Sequence, residues 1–213
     1  MFKSTKSHKN YWRTRSIDWK QAYFDGIDEA SGLPVWDHPH RQLLMRELSR
    51  LKFGSVLEVG CATGANLYKI SQTFPGTELG GIDVSAEAIE AAKSKFSQAV
   101  VLQQGSFEDL FYSDKSADLV LSDAALIYVG PETIHKAIEE MKRVARKYIV
   151  LVEFHAPTLW ERLGIAWKSG YYAYNYKTLL ESHGLYDIEM TPIPERVWGY
   201  PWSKWGRIII ARV

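Results

Sequence analysis

The stretch Val56-Leu57-Glu58-Val59-Gly60-Cys61-Ala62-Thr63-Gly64-Ala65-Asn66-Leu67 runs an apolar strand straight into a small-residue turn and on into a helix. That succession demands an α/β unit, because a run buried on both faces belongs in a parallel sheet. Gly60, Ala62 and Gly64 let the backbone turn tightly and approach a ligand closely. Glu58 stands at the strand's end, where a carboxylate can hold a cation and would repel a pyrophosphate. The order Gly60-Cys61-Ala62-Thr63-Gly64-Ala65 also departs from the G-x-G-x-x-G of dinucleotide sites. The loop therefore predicts a ligand carrying an ammonium group, ahead of a nicotinamide dinucleotide or a turn with no ligand.

The segments that follow agree. Leu79-Gly80-Gly81-Ile82-Asp83 reads as a second strand ending in an acid, followed by a helix over about 85–96. An acid at that place is positioned to accept the hydroxyls of a ribose. A third strand (Val100–Gln103), the turn Gly105-Ser106-Phe107-Glu108-Asp109-Leu110 and a fourth strand, Ala117-Asp118-Leu119-Val120-Leu121-Ser122-Asp123, come next. With Glu58-x-Gly60-x-Ala62-x-Gly64, Asp83 and this last strand in order, the chain resembles the class I S-adenosylmethionine-dependent methyltransferases. The resemblance is close over about 54–155 and topological beyond.

It implies one α/β domain over 1–213, with a Rossmann-like seven-stranded sheet, an antiparallel last strand and helices on both faces. Residues 1–53 would be N-terminal helices forming a lid, 54–155 the cofactor-binding core and 156–213 the substrate side. By the same resemblance Gly60 to Gly64, with Cys61 and Ala62 between them, cradle the methionine part of S-adenosylmethionine, and Glu58 holds its ammonium indirectly. Asp83 binds the ribose hydroxyls, Val84 packs on the adenine, and Ser106 and Phe107 sit at the adenine edge. Ser122 and Asp123 lie beside the sulfonium. Ala62 stands where a glycine is usual, so its methyl should narrow the loop slightly. The histidines that relatives often carry near Ile127 and Tyr128 are missing.

A net charge of +1 gives no general reason to expect nucleic acid or a membrane as partner. The single cysteine, Cys61, excludes an internal disulfide and reads as a small apolar filler. No run reaches the roughly 18 apolar residues of a spanning helix, and the polar N-terminus is no secretory signal; the chain reads as cytoplasmic. Eight Trp and twelve Tyr are the compositional anomaly, and many gather at Trp160–Tyr176 and Trp198–Trp205, outside the cofactor motifs.

Residues 1–10, with Lys3, Lys6, His8 and Lys9, read as a mobile basic end. Over Tyr11–Ala30 aromatics recur at loosely helical spacing, and Tyr11 and Trp12 are the candidates for closing a lid over the cofactor. Asp37 reads as the N-cap of a helix running to Leu51. His38 and His40, at i and i+2, do not share a helix face, so no metal site is expected there. Pro131 opens a further helix, and Tyr148–Glu153 is a fifth strand. Phe154-His155-Ala156-Pro157 begins a long aromatic-rich stretch before a helix over about 177–183. Two final strands, Leu185–Thr191 and Arg207–Val213, have no room for a helical crossover and should pair antiparallel.

Methyl transfer to oxygen also needs a base. The candidates are Asp123, Glu153, Tyr128 and above all His155, which follows the fifth strand and titrates near neutrality; the plainer reading of His155 is a loop histidine satisfied by backbone. The aromatic clusters suit a pocket for a flat small molecule or simply pack the last strands. A small metabolite, sugar or natural-product intermediate is therefore the expected acceptor. Nucleic acid is disfavoured, since Ser122-Asp123-Ala124-Ala125 lacks the prolines and aromatic that stack a flipped base. A protein acceptor and an inactive cofactor-binding scaffold remain alternatives.

Overall fold

A computed structural model describes residues 4–96 and 100–213; Lys3 and the start of the basic end lie outside them. Seven strands form one sheet: β1 (Ser55–Val59), β2 (Glu78–Asp83), β3 (Val101–Gln104), β4 (Ala117–Asp123), β5 (Ala145–Phe154), β6 (Tyr186–Pro192) and β7 (Gly206–Arg212). Their order is β3-β2-β1-β4-β5-β7-β6. β1 to β5 pair in parallel, whereas β7 is antiparallel to both β5 and β6. The expected methyltransferase sheet, with its antiparallel last strand, is what forms.

Side chains alternate between two apolar layers, as strands covered on both faces require. Val150 and Val152 of β5 join one layer, with Leu44 and Leu48 of α2 (Pro39–Leu48), Leu67 and Ile70 of α3 (Ala65–Thr73) and Ile89 of α4 (Ala86–Lys93). Ile149 and Leu151 join the other, with Ile138 and Met141 of α5 (Ile134–Val144) and Leu180 of α7 (Tyr176–Ser182). Among the described residues no helix is long and apolar enough to cross a membrane.

Three expectations are corrected. The basic end is ordered from Thr5: α1 (Thr5–Thr14) is capped by Ser4 and tied down by tertiary bonds that its polar sequence does not advertise. Gly130 N–H donates to Thr5 Oγ1 at 2.6 Å, and Thr5 N–H to Glu132 Oε1 at 2.8 Å. The helix expected from Asp37 starts instead at Pro39, after a 3-10 turn over Val35–Asp37. Proline suits the first helical position but forces the residue before it out of the helical region, so His38, at φ −50° and ψ 141°, becomes the cap. The aromatic stretch after β5 contains a helix, α6 (Leu159–Ser169), started by a Thr158/Glu161 capping box.

Candidate cofactor and acceptor site

The carboxyl ends of β1, β2 and β4 open onto a cavity of about 390 Å³. Its floor is the turn after β1. Gly60 takes φ +80°, and a Cβ there would stand 2.4 Å from Ala125 Cβ, so no side chain fits. Ala62 takes φ +45°, a left-handed conformation that costs an L-residue about 1–2 kcal/mol. Its N–H donates to Asp83 Oδ2 at 2.9 Å, and Ser85 N–H donates to Asp83 Oδ1 at 2.9 Å. Asp83 thus clamps the turn while each of its oxygens keeps room for a further donor. Burial pushes its carboxyl up, against the pull of those N–H groups.

Glu58 is buried and only half satisfied. Asn66 Nδ2 donates to its Oε1 at 2.7 Å, whereas Oε2 has no partner. Burial pushes this carboxyl up to about 8. The same Asn66 amide donates to Asp123 Oδ2 at 2.9 Å, and His40 Nε2 meets that oxygen at 3.0 Å. Arg41 directs Nη1 to Val35 O at 2.7 Å, while its buried Nε has no partner. Two carboxylates lining the cavity, Glu58 and Asp123, thus each keep one buried oxygen without a partner, Oε2 and Oδ1, and Arg41 keeps one such N–H.

The roof comes from elsewhere in the chain. Trp12 of α1, Trp19 and Tyr23 line it, the last from a π-helical turn over Gln21–Asp25. Trp12 meets Tyr128 edge-on at 5.1 Å, and Trp19 lies 5.3 Å from Tyr23. Lys9 bonds Ser106 Oγ at 3.1 Å and Glu108 Oε2 at 2.6 Å. Thr63 Oγ1, in the floor, donates to Tyr23 O at 3.0 Å. A third wall combines His38, His40 and Trp198, which stacks on His40 at 4.1 Å.

Of the residues singled out from sequence, Glu58, Gly60, Cys61, Ala62, Asp83, Val84, Ser106, Phe107, Asp123, Tyr128 and Trp12 line the cavity. Five do not behave as expected. Gly64, at φ +77°, is the N-cap of α3 and lies off the cavity wall. Tyr11 is half exposed and packs on Trp12 rather than on the cavity. Ser122 is fully buried and donates to Glu153 Oε1 at 3.1 Å. Glu153 in turn is saturated, since Ala125, Leu126 and Ile127 N–H groups also bond its two oxygens. His155 lies off the cavity as well: its N–H goes to Trp205 O and its Nδ1 accepts from Tyr176 N–H, so the segment leaving β5 is held against the C-terminal elements. Tyr128 does line the cavity, but burial pushes its hydroxyl pKa up, so it stays protonated.

His38, His40, Arg41, Asn66 and Trp198, like Lys9, Trp19, Tyr23 and Thr63, line the cavity without a sequence expectation that placed them there. For the two histidines the signal is Pro39, which lifts His38 off the helix so that its ring meets that of His40. Among the described residues no three His, Cys, Asp or Glu side chains are grouped to hold a metal ion.

A family model for a methyltransferase domain matches residues 56–148. A Synechocystis protein described as an uncharacterized methyltransferase is 30% identical over 121 residues, which is 56% of this chain and 56% of its own. A ubiquinone/menaquinone biosynthesis C-methyltransferase of Syntrophotalea carbinolica is 28% identical over 130 residues, 57% of this chain and 53% of its own. The chain thus spans about half the length of these curated relatives. The fold is that of magnesium protoporphyrin IX methyltransferase from Synechocystis PCC 6803 with bound SAH, at TM-score 0.69 and 18% identity over 96% of this chain and 97% of that one.

Proposed function

We propose that this chain, a class I S-adenosylmethionine-dependent methyltransferase, passes a methyl group to an oxygen or nitrogen atom of a small metabolite, sugar or natural-product intermediate. One observation carries the reading. Buried polar atoms without partners, Glu58 Oε2, Asp123 Oδ1 and Arg41 Nε, belong to residues lining a single cavity floored by the glycine turn and Asp83. Such atoms are costly unless a ligand satisfies them, and the donor set suits S-adenosylmethionine. Glu58 would take its ammonium, Arg41 its carboxylate and Asp83 its ribose hydroxyls. Val84 and Phe107 would pack on the adenine, with Ser106 at its edge.

When bound, S-adenosylmethionine supplies an activated methyl group on a sulfonium, so alignment and exclusion of water are the protein's share. Trp12, Trp19, Tyr23 and Tyr128 provide apolar walls for both tasks. A roofed cavity of this kind supports a small acceptor over a polymer, as does the near-neutral net charge. The proteins this chain resembles include a ubiquinone/menaquinone biosynthesis C-methyltransferase and a magnesium protoporphyrin IX methyltransferase, so the acceptor class rests on the cavity itself.

Calorimetric titration with S-adenosylmethionine tests the reading. Asp83→Ala should bind at least about tenfold more weakly, equivalent to about 1.4 kcal/mol. No binding by the unaltered protein would overturn it.

A further inference from the structure

We infer that His40 is a positioning residue which, together with Asn66, leaves Asp123 Oδ1 open to a hydroxyl group, so that the acceptor is an alcohol or phenol and the transfer is to oxygen. The inference rests on the methyl-transfer reading and narrows it. Two donors converge on a single oxygen: His40 Nε2 lies 3.0 Å from Asp123 Oδ2 and Asn66 Nδ2 lies 2.9 Å from it. Oδ1 is buried and has no partner. Glu153 offers the contrast within the same molecule, because its donors spread over both oxygens and leave neither bare. A buried carboxylate whose donors crowd one oxygen is directed at something else.

His40 is built to hold this arrangement. Its side chain is 4% exposed, and Trp198 stacks on its ring at 4.1 Å, backed by Trp202 at 4.1 Å. Its Nδ1 lies 2.5 Å from His38 Nδ1, the nitrogen that also accepts from the His40 backbone N–H at 3.2 Å, so the two rings are held together at the start of the helix. A carboxylate only accepts, so His40 Nε2 carries the hydrogen toward Asp123. Burial outweighs Asp123 and brings His40 down to about 4, so the ring is neutral near pH 7.

Asp123 also feels Arg41 from α2, Glu58 from β1 and Glu153 from β5, and Asp28 acts on His38. Burial raises Asp123, but His40 and Arg41 prevail and hold it below the usual carboxylate range. It is therefore ionised at neutral pH. An ionised carboxylate here would keep an amine acceptor protonated and without a free electron pair. A hydroxyl, by contrast, gains a base: its O–H bond breaks and the proton passes to Asp123 Oδ1, as the new O–C bond forms and the S–C bond of the cofactor breaks. With the cofactor bound, the carboxylate and sulfonium charges would vanish together, a favourable balance where both are buried.

The test offers methyl-labelled S-adenosylmethionine with a panel of small phenols and aliphatic alcohols against primary and secondary amines. It is run on the unaltered chain, Asp123→Asn, His40→Phe and His40→Gln, with cofactor affinity measured on each by calorimetry. Label should enter the hydroxyl compounds, and Asp123→Asn should lower kcat at least about 100-fold with cofactor Kd within about threefold. His40→Phe should move the acid limb of the kcat/KM profile up by about one pH unit, and His40→Gln, which keeps a donor to Oδ2, should restore it. Label confined to amines, no labelled member of the panel, an Asp123→Asn kcat above about a third of the original, or an unmoved acid limb would each overturn the inference. Cofactor binding lost as fully in Asp123→Asn as in Asp83→Ala would assign Asp123 to the cofactor, overturning the inference and sparing the methyl-transfer reading. Absence of cofactor binding by the unaltered chain would instead strike that reading itself.

Discussion

The floor and the roof of the cavity are built in opposite ways. Every floor element, the turn after β1, the end of β2 and the end of β4, lies within residues 56–148, the span matched by the methyltransferase family model. Its shape follows from backbone geometry: Gly60 and Ala62 hold left-handed conformations, and Asp83 clamps the turn through the Ala62 N–H. The roof, from Thr5 to Arg41 with Trp198, lies outside that span. It is latched by side chains far apart in sequence, Lys9 to Glu108, Lys95 to Asp25 and Thr63 to the Tyr23 carbonyl. Partly exposed ion pairs of that kind contribute little each. The floor is therefore held by backbone geometry, and the roof by side-chain contacts that are individually weak.

The largest expected effect lies in the floor. Gly60→Ala should destabilise the fold by about 3 kcal/mol, the sum of a left-handed alanine and the overpacking against Ala125. Urea unfolding checks it, and a variant as stable as the original would refute a backbone-determined floor.

A second expectation concerns Glu58, whose carboxyl burial pushes up to about 8. A cationic ligand favours its ionised form, so cofactor binding should release a proton below that pH. Affinity should then rise with pH, by at most about tenfold per unit, and level off above about 8. Calorimetry in two buffers of different ionisation enthalpy reads the proton directly, and identical apparent enthalpies near pH 7 would contradict it.

The smallest effect belongs to the roof. Lys9 and Glu108 are 36% and 35% exposed, so Lys9→Ala should change stability by no more than about 0.5 kcal/mol. Cofactor dissociation should nevertheless quicken, by about threefold, an exit-rate effect of the kind such contacts have. Stopped-flow release checks this, and an unchanged rate would remove α1 from the cofactor's exit path.

Legibility followed the same division. Strand, turn and helix at Val56–Leu67, the acid ending β2 and the antiparallel pairing of β7 could all be read, because each follows from the local run of residues. His155 takes the plainer of its two readings, a loop histidine bonded to the backbone of Tyr176 and Trp205, because a position after a strand does not say which neighbours hold it. α1 was missed because a polar helix anchored by Thr5 and Lys9 has no apolar stripe to announce it. α6 was missed although Thr158-x-x-Glu161 announced its first turn. His38 and His40 were treated as residues on one helix, whereas Pro39 puts the first of them outside it.

What the sequence determined by itself was the scaffold and the cofactor end of the cavity, since strand burial, turn conformation and helix starts are decided by residues adjacent in the chain. What only the tertiary structure decided was which polar groups face one another across the cavity. His40, Asn66, Asp123 and Trp198 come from α2, α3, β4 and the connector between β6 and β7. Hydrogen bonds and ring stacking between them depend on distances across the sheet's edge, which leave no periodicity or spacing in the sequence.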